Sequence, residues 1–162
     1  MTFISDALLI AAITFIPFLE LRASIPYGIL VLKMQWFPVL VIAVIANIIL
    51  GPVIYFFLDK VMHIFLRIRL IGNIYQKYVE KTQVKIHGYV EKYGEAALAV
   101  FIGIPLPGSG SYTGALAAYI LGFGYRRFII ANIFGVLIAG IIVAAVTMTG
   151  AGAFEFFIKR MS

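Results

Sequence analysis

The run Ile16-Pro-Phe-Leu-Glu-Leu-Arg-Ala-Ser-Ile-Pro-Tyr-Gly28 constrains this chain more than any other feature, because it places charges and helix breakers inside an apolar segment. The surrounding residues, about Ala7 to Leu32, are long enough to enter a bilayer. Within them stand a carboxylate, Glu20, a guanidinium, Arg22, and two prolines, Pro17 and Pro26. An ionisable side chain deep in hydrocarbon costs roughly 3 kcal/mol or more, so such residues face a cavity or a partner. Each proline removes a backbone donor, and Gly28 permits the chain to reverse. Helix, charged break, helix is the pattern of a re-entrant hairpin or a discontinuous transmembrane helix. The second half repeats it at Ile102-Gly-Ile-Pro-Leu-Pro-Gly-Ser-Gly-Ser-Tyr-Thr-Gly114. Two breaks in corresponding places point to a binding site between them.

Composition sets the solvent. Hydrophobic residues make up 63% of the 162, charged residues 12%, against about half and a quarter in soluble domains, so an integral membrane protein is expected. The uncharged runs Met34–Leu58, Ala96–Tyr125 and Phe128–Phe154 each exceed the roughly 20 residues that cross the hydrocarbon. The net charge of +6 then reads as topology and lipid-surface contact, and nucleic acid is not expected as a partner. The chain has no cysteine, which removes thiolate metal sites and thiol nucleophiles. The first segment lacks the basic flank of a cleaved signal and is expected to be mature structure.

In order, a broken segment (Ser5 to Leu32) is followed by Lys33-Met-Gln-Trp36, whose Trp suits the interface, and by an apolar helix from Phe37 to Leu58 with Asn47 inside it and a kink at Gly51-Pro52. Val61 to Glu95 is basic, with apolar and aromatic residues at helical spacing, as in an amphipathic helix on the membrane surface; a solvated loop helix is the alternative. A second broken segment (Ala96 to Leu121) leads through Arg126-Arg127 to a Gly/Ala-rich helix, Phe128 to Thr149, with Asn132. A short amphipathic tail closes the chain.

Ile45-Ala-Asn-Ile48 recurs as Ile130-Ala-Asn-Ile133, and in nearly the same register Phe15-Ile16 falls on Phe101-Ile102 and Gly28 on Gly114. We read a duplication within one membrane domain: repeat one 5–60, linker 61–95, repeat two 96–151, tail 152–162. If the broken segments return to their own side, each half crosses once and the halves are inverted. Lys60, Arg67, Arg69, Lys77, Lys81, Lys85, Lys92, Arg126 and Arg127 then share one side, against Lys33, Lys159 and Arg160. That asymmetry predicts a cytoplasmic linker and both termini opposite. The expected fold class is an all-α polytopic membrane protein: two inverted repeats, each a proline-broken re-entrant hairpin plus a transmembrane helix, joined by an amphipathic linker.

Glu20-Leu-Arg-Ala-Ser-Ile-Pro-Tyr-Gly28 and Pro105-Leu-Pro-Gly-Ser-Gly-Ser-Tyr-Thr-Gly114, as a pair, resemble the hairpins of the DedA-like (VTT-domain) superfamily and, more closely, the small multidrug export family of bacteria and archaea. The resemblance covers about Ala7 to Thr149. It implies two re-entrant hairpins meeting from opposite faces at mid-membrane, and transport of polyprenyl-phosphate carriers or other phospholipids with proton coupling. The second hairpin of many DedA-like proteins carries basic residues; here none lies between Lys92 and Arg126.

The candidate residues carry alternatives. Glu20 is a proton carrier, since desolvation favours the uncharged carboxyl, or else simply neutralises Arg22. Arg22 forks onto phosphate or carboxylate, or locks a hairpin through backbone carbonyls. Ser109, Ser111, Tyr112 and Thr113 supply hydroxyls; Gly108 and Gly110 expose amides for an anion, or only permit the turn. Pro17, Pro26, Gly28, Pro105, Pro107, Gly108, Gly110 and Gly114 shape the hairpin backbones. Asn47 and Asn132 are expected as helix–helix hydrogen bonds. His63 and His87 lack partners at ligand spacing, so no metal or cofactor is expected, and no triad of Ser, His and acid suggests an enzyme. The expected partners are membrane lipids, an amphiphilic and anionic lipid-phosphate substrate, and a second copy through Gly135, Gly140 and Gly150. A proton-coupled exporter of cationic drugs and a non-transporting membrane scaffold are the rivals. The expected location is the inner or plasma membrane of a bacterium or archaeon.

Overall fold

The computed structural model describes residues 3–65, 93–106 and 109–161, with side chains for 3–61, 93–106 and 109–150. Those residues form six helices and no strand: α1 (Phe3–Thr14), α2 (Glu20–Pro26, running on as a π-helical turn, Tyr27–Val31), α3 (Trp36–Phe65), α4 (Tyr93–Gly103), α5 (Ser111–Ile120) and α6 (Tyr125–Met161). Most of the linker expected between 61 and 95, with His87, lies outside the described residues, as do Pro107 and Gly108.

Among the described residues two helices are long and apolar enough to cross a membrane, Trp36–Val61 and Tyr125–Gly150. At about 1.5 Å per residue each exceeds the ~30 Å hydrocarbon thickness. Between their charged ends each presents an exposed apolar stripe: Val41, Ile45, Ile49 and Val53 step along α3 at four-residue spacing, and Ile130, Phe134, Ile138 and Ile142 along α6. Water would not tolerate such continuous stripes on a monomer, whereas lipid does. This is a membrane protein.

Small residues bring the two long helices together. Gly51 lies under Asn132, where a Cβ would overlap the carboxamide, and Gly140 lies against Val44 and Leu40. Residue 51 thus meets 132 while 44 meets 140, so α3 and α6 run antiparallel. Ala43, Ala46, Ala131, Ala139 and Ala144 fill the rest of this buried layer. Gly135 is likewise used within the chain, against Ile102 and the Ala99 carbonyl, whereas among the described residues nothing lies within 4 Å of the place where a Gly150 Cβ would stand.

The other four helices form two hairpins. In the first, the Thr14 hydroxyl donates to Ser24 Oγ (2.7 Å), and farther from the turn Ile10 approaches Gly28. The contacts progress in opposite directions along the two arms, so the chain turns back at 15–19. In the second, Ser109 Oγ donates to the Ile104 carbonyl beside the turn, and Ile102 packs on Gly114 beyond it. Each arm rises only about 15–18 Å, half of a bilayer.

The first break is shorter than the sequence suggests. It spans 15–19 around Pro17, and its reversal is made by Phe18 (φ 69°) and Glu20 (φ 46°), both in the left-handed region usually left to glycine. Pro26 does not interrupt the helix. It sits within α2, and the backbone widens into the π-helical turn beside it, where each N–H reaches one residue further back. Gly28 is buried in that turn because α3 lies so close: a Cβ would come within 2.7 Å of Val39.

Candidate functional site

The two hairpin tips meet, and Glu20 is at the junction. Its carboxylate is 3% exposed and begins α2 at the end of the first turn. Oε2 accepts the backbone N–H of Ser111 and Oε1 that of Tyr112, both at 3.2 Å. These are orphan donors at the start of α5, so a side chain of one hairpin caps a helix of the other. Asn47, projecting from α3, adds a third donor through Nδ2 at 3.3 Å. One side chain thereby joins α2, α3 and α5.

Arg22 closes the junction from the other side. Its Nη1 lies 3.7 Å from Glu20 Oε2, a contact too long for a hydrogen bond but close enough for charge attraction. Nη2 donates to the Ile104 carbonyl at 3.2 Å and to Ser109 Oγ at 3.0 Å, both on the second hairpin. Glu20 and Arg22 face each other because the left-handed backbone at Glu20 turns its side chain out of helical register. Arg22 Nε is buried without a partner among the described residues.

Gly110 makes this approach possible. Its φ is +139°, and a Cβ there would stand 2.5 Å from Glu20 Oε2 and 2.7 Å from Arg22 Nη1. Thr113 Oγ1 donates to the Gly110 carbonyl at 3.4 Å, and the Tyr112 hydroxyl reaches across to the Phe15 carbonyl at 2.6 Å. Pro105 lies in the non-helical second turn. Gly114, deeper in the hairpin, accommodates Ile102.

Asn132 belongs to a neighbouring layer. Its Oδ1 accepts the Ser111 hydroxyl at 2.8 Å, and Nδ2 points to the Ile48 carbonyl at 3.5 Å. The repeated asparagines each hydrogen-bond between helices, Asn47 from α3 to α2 and Asn132 from α6 to α5 and α3. Asn47 holds the Glu20 side chain, and Asn132 holds the residue whose backbone N–H Glu20 accepts. Thr14 and Ser24, fully buried, tie the first hairpin together and were not singled out from sequence. Two hydroxyls flanking the break in an apolar segment were the available signal.

Among the described residues no three His, Cys, Asp or Glu side chains converge as a metal site would require. The arrangement joins the two hairpin tips through one buried carboxylate. No curated protein and no solved structure matches the chain. A family described as "Putative small multi-drug export protein" matches residues 20–142, from Glu20 through both hairpin tips' contacts and α3 into α6. The match covers most of the sequence, and the chain belongs to that family of small multi-drug export proteins.

Proposed function

We propose that this chain is a multi-pass transporter of a bacterial or archaeal cell membrane that exports small amphiphilic, drug-like molecules, with proton and substrate alternating at Glu20. In this reading the two hairpins are re-entrant, the halves are inverted repeats of DedA-like architecture, and the linker is cytoplasmic. The antiparallel course of α3 and α6 and the half-bilayer length of every hairpin arm support it. The chain does its work by gating and carries out no covalent chemistry.

The observation that carries the proposal is the capping of α5 by Glu20. With the carboxylate ionised, its bonds to Ser111 and Tyr112 are charge-assisted and hold the tips together. Such bonds contribute roughly 1.5–3 kcal/mol each, against about 0.5–1.5 for neutral ones. A proton on Glu20 therefore weakens the junction and favours separation of the hairpins, with the substrate passing between them. Release of that proton leaves an anion that either recaptures α5 or pairs with a cationic substrate. Arg22 is engaged on the Ile104 carbonyl and Ser109, so its charge serves mainly to lock the tips.

A second reading, transport of an anionic lipid phosphate, has one observation in its favour. Two backbone amides, the Asn47 amide and the Arg22 guanidinium already surround one carboxylate, and a phosphate would suit the same donors. Equilibrium binding of tetraphenylphosphonium and of a polyprenyl phosphate to purified wild type, Glu20→Gln and Arg22→Gln separates the two. Drug export predicts cation binding weakened about tenfold or more in Glu20→Gln and retained in Arg22→Gln, an effect of about 1.4 kcal/mol. Phosphate binding that collapses in Arg22→Gln, with no cation binding, would replace the first reading by the second.

A further inference from the structure

We propose that a groove between α4 and α6 binds a zwitterionic amphiphile, its hydrocarbon chain lying along the helices and its ammonium and phosphate on Glu95 and Arg127. The groove is open to one side and has a volume of about 420 Å³. Its floor is made of the small residues Ala99 and Ala131, and its walls include Val100, Ile130, Phe134 and Ile138. Among the described residues its lining is apolar except at one end, where Glu95 stands.

Its direction follows from contacts at three levels. Glu95 meets Arg127 (3.4 Å), Ala99 meets Gly135, and Gly103 meets Ile138. The residue numbers rise together, so α4 and α6 run parallel and the groove descends from the charged pair toward the second hairpin tip. From Arg127 to Ile138 the rise is about 16 Å, close to half of the ~30 Å hydrocarbon layer. That is the depth of one leaflet. A chain anchored at the pair would end beside Ile104, whose carbonyl receives Arg22.

The headgroup class follows from the pair itself. Both side chains are half exposed and present opposite charges 3.4 Å apart. A purely cationic or anionic head would have to separate them and leave one without its counter-charge. A head carrying both signs satisfies each in turn, the phosphate on the guanidinium fork and the ammonium on the carboxylate. This deepens the export reading by giving amphiphiles an approach to the hairpin junction. It rests on that reading for where the groove leads, and on the groove's own geometry for what fills it.

The test uses the cysteine-free full chain reconstituted in vesicles, with one cysteine carrying a bimane fluorophore. The label sits either at Leu137, beside the groove, or at Phe57, on the exposed face of α3. Quenching is measured with brominated phosphatidylethanolamine and with brominated phosphatidylglycerol. At Leu137 the zwitterionic lipid should quench at half or less of the mole fraction that the anionic lipid needs, with no preference at Phe57. Ala96→Trp, which fills the groove mouth from an exposed position, should abolish the preference. Arg127→Gln should abolish it too, and Glu95→Gln should shift it toward the anionic lipid. Equal quenching at the two positions would overturn the proposal. So would a preference that survives Ala96→Trp, or a Leu137 label shielded from both lipids by another part of the chain or a second copy. Quenching is read without transport, so failure here and failure of the export reading are separate results.

Discussion

Glu20 accepts the backbone N–H of Ser111 at 3.2 Å across 91 residues of sequence, so the carboxylate of one hairpin is the N-terminal cap of a helix in the other. Each hairpin is thus incomplete alone. The first has a buried charge that its own turn does not satisfy, and the second has a helix start without a side-chain cap of its own. Their union settles both, which is why a change of charge at one atom can act on the whole junction.

Gly110 is the position where a single carbon should break that union. In Gly110→Ala the new methyl meets the Glu20 carboxylate and the Arg22 guanidinium, and the φ of +139° is strained for any side chain. The expected loss of stability is roughly 1–3 kcal/mol from backbone strain, before displacement of the ion pair is added. A thermal melt of the purified protein in detergent checks it. An unchanged Tm would mean that the tips do not approach as described.

Gly51 and Asn132 should be coupled. Gly51→Ala overpacks the carboxamide and is expected to destabilise by about 1–3 kcal/mol. In an Asn132→Ala background the space is open, and the same change should be close to neutral. A double-mutant cycle on unfolding free energies measures the difference. Additive effects would contradict the antiparallel register of α3 and α6.

The inverted arrangement makes a topological prediction. Single cysteines at Thr2, Gln83 and Ser162 are introduced into a chain that otherwise has none. An impermeant thiol reagent should reach position 83 from the cytoplasmic side and positions 2 and 162 from the other. Labelling of all three from one side would remove the inverted-repeat reading.

Much of the site was legible in the sequence because the bilayer makes charges conspicuous. Glu20 and Arg22 stand out in apolar surroundings, and the second break announces itself through Pro105, Gly110 and Gly114. What each residue touches was less legible, since that depends on tertiary approach. For Arg22 the sequence leaves open a ligand or a hairpin lock through backbone carbonyls, and its Nη2 donates to the Ile104 carbonyl and Ser109. Asn47 and Asn132 were expected as helix–helix hydrogen bonds, and their partners, the Glu20 carboxylate and the Ser111 hydroxyl, depend on how the hairpins approach the long helices. The sequence places the break between Pro17 and Gly28, whereas the turn spans only 15–19 around Pro17, Phe18 and Glu20 carry the left-handed backbone, and Pro26 lies within α2 beside a π-helical turn. Residues other than glycine adopt such angles only where surrounding contacts hold them there, and three donors on the Glu20 carboxylate do so here.

The account stands on proton-dependent opening at Glu20, and flux measures it directly. Purified wild type and Glu20→Gln are reconstituted in vesicles, a pH gradient is imposed, and accumulation of tetraphenylphosphonium is followed. The account predicts gradient-driven accumulation by the wild type and none above empty vesicles by Glu20→Gln, whose neutral amide can neither bind nor release the proton. Accumulation by Glu20→Gln at the wild-type rate, still driven by the gradient, would contradict it.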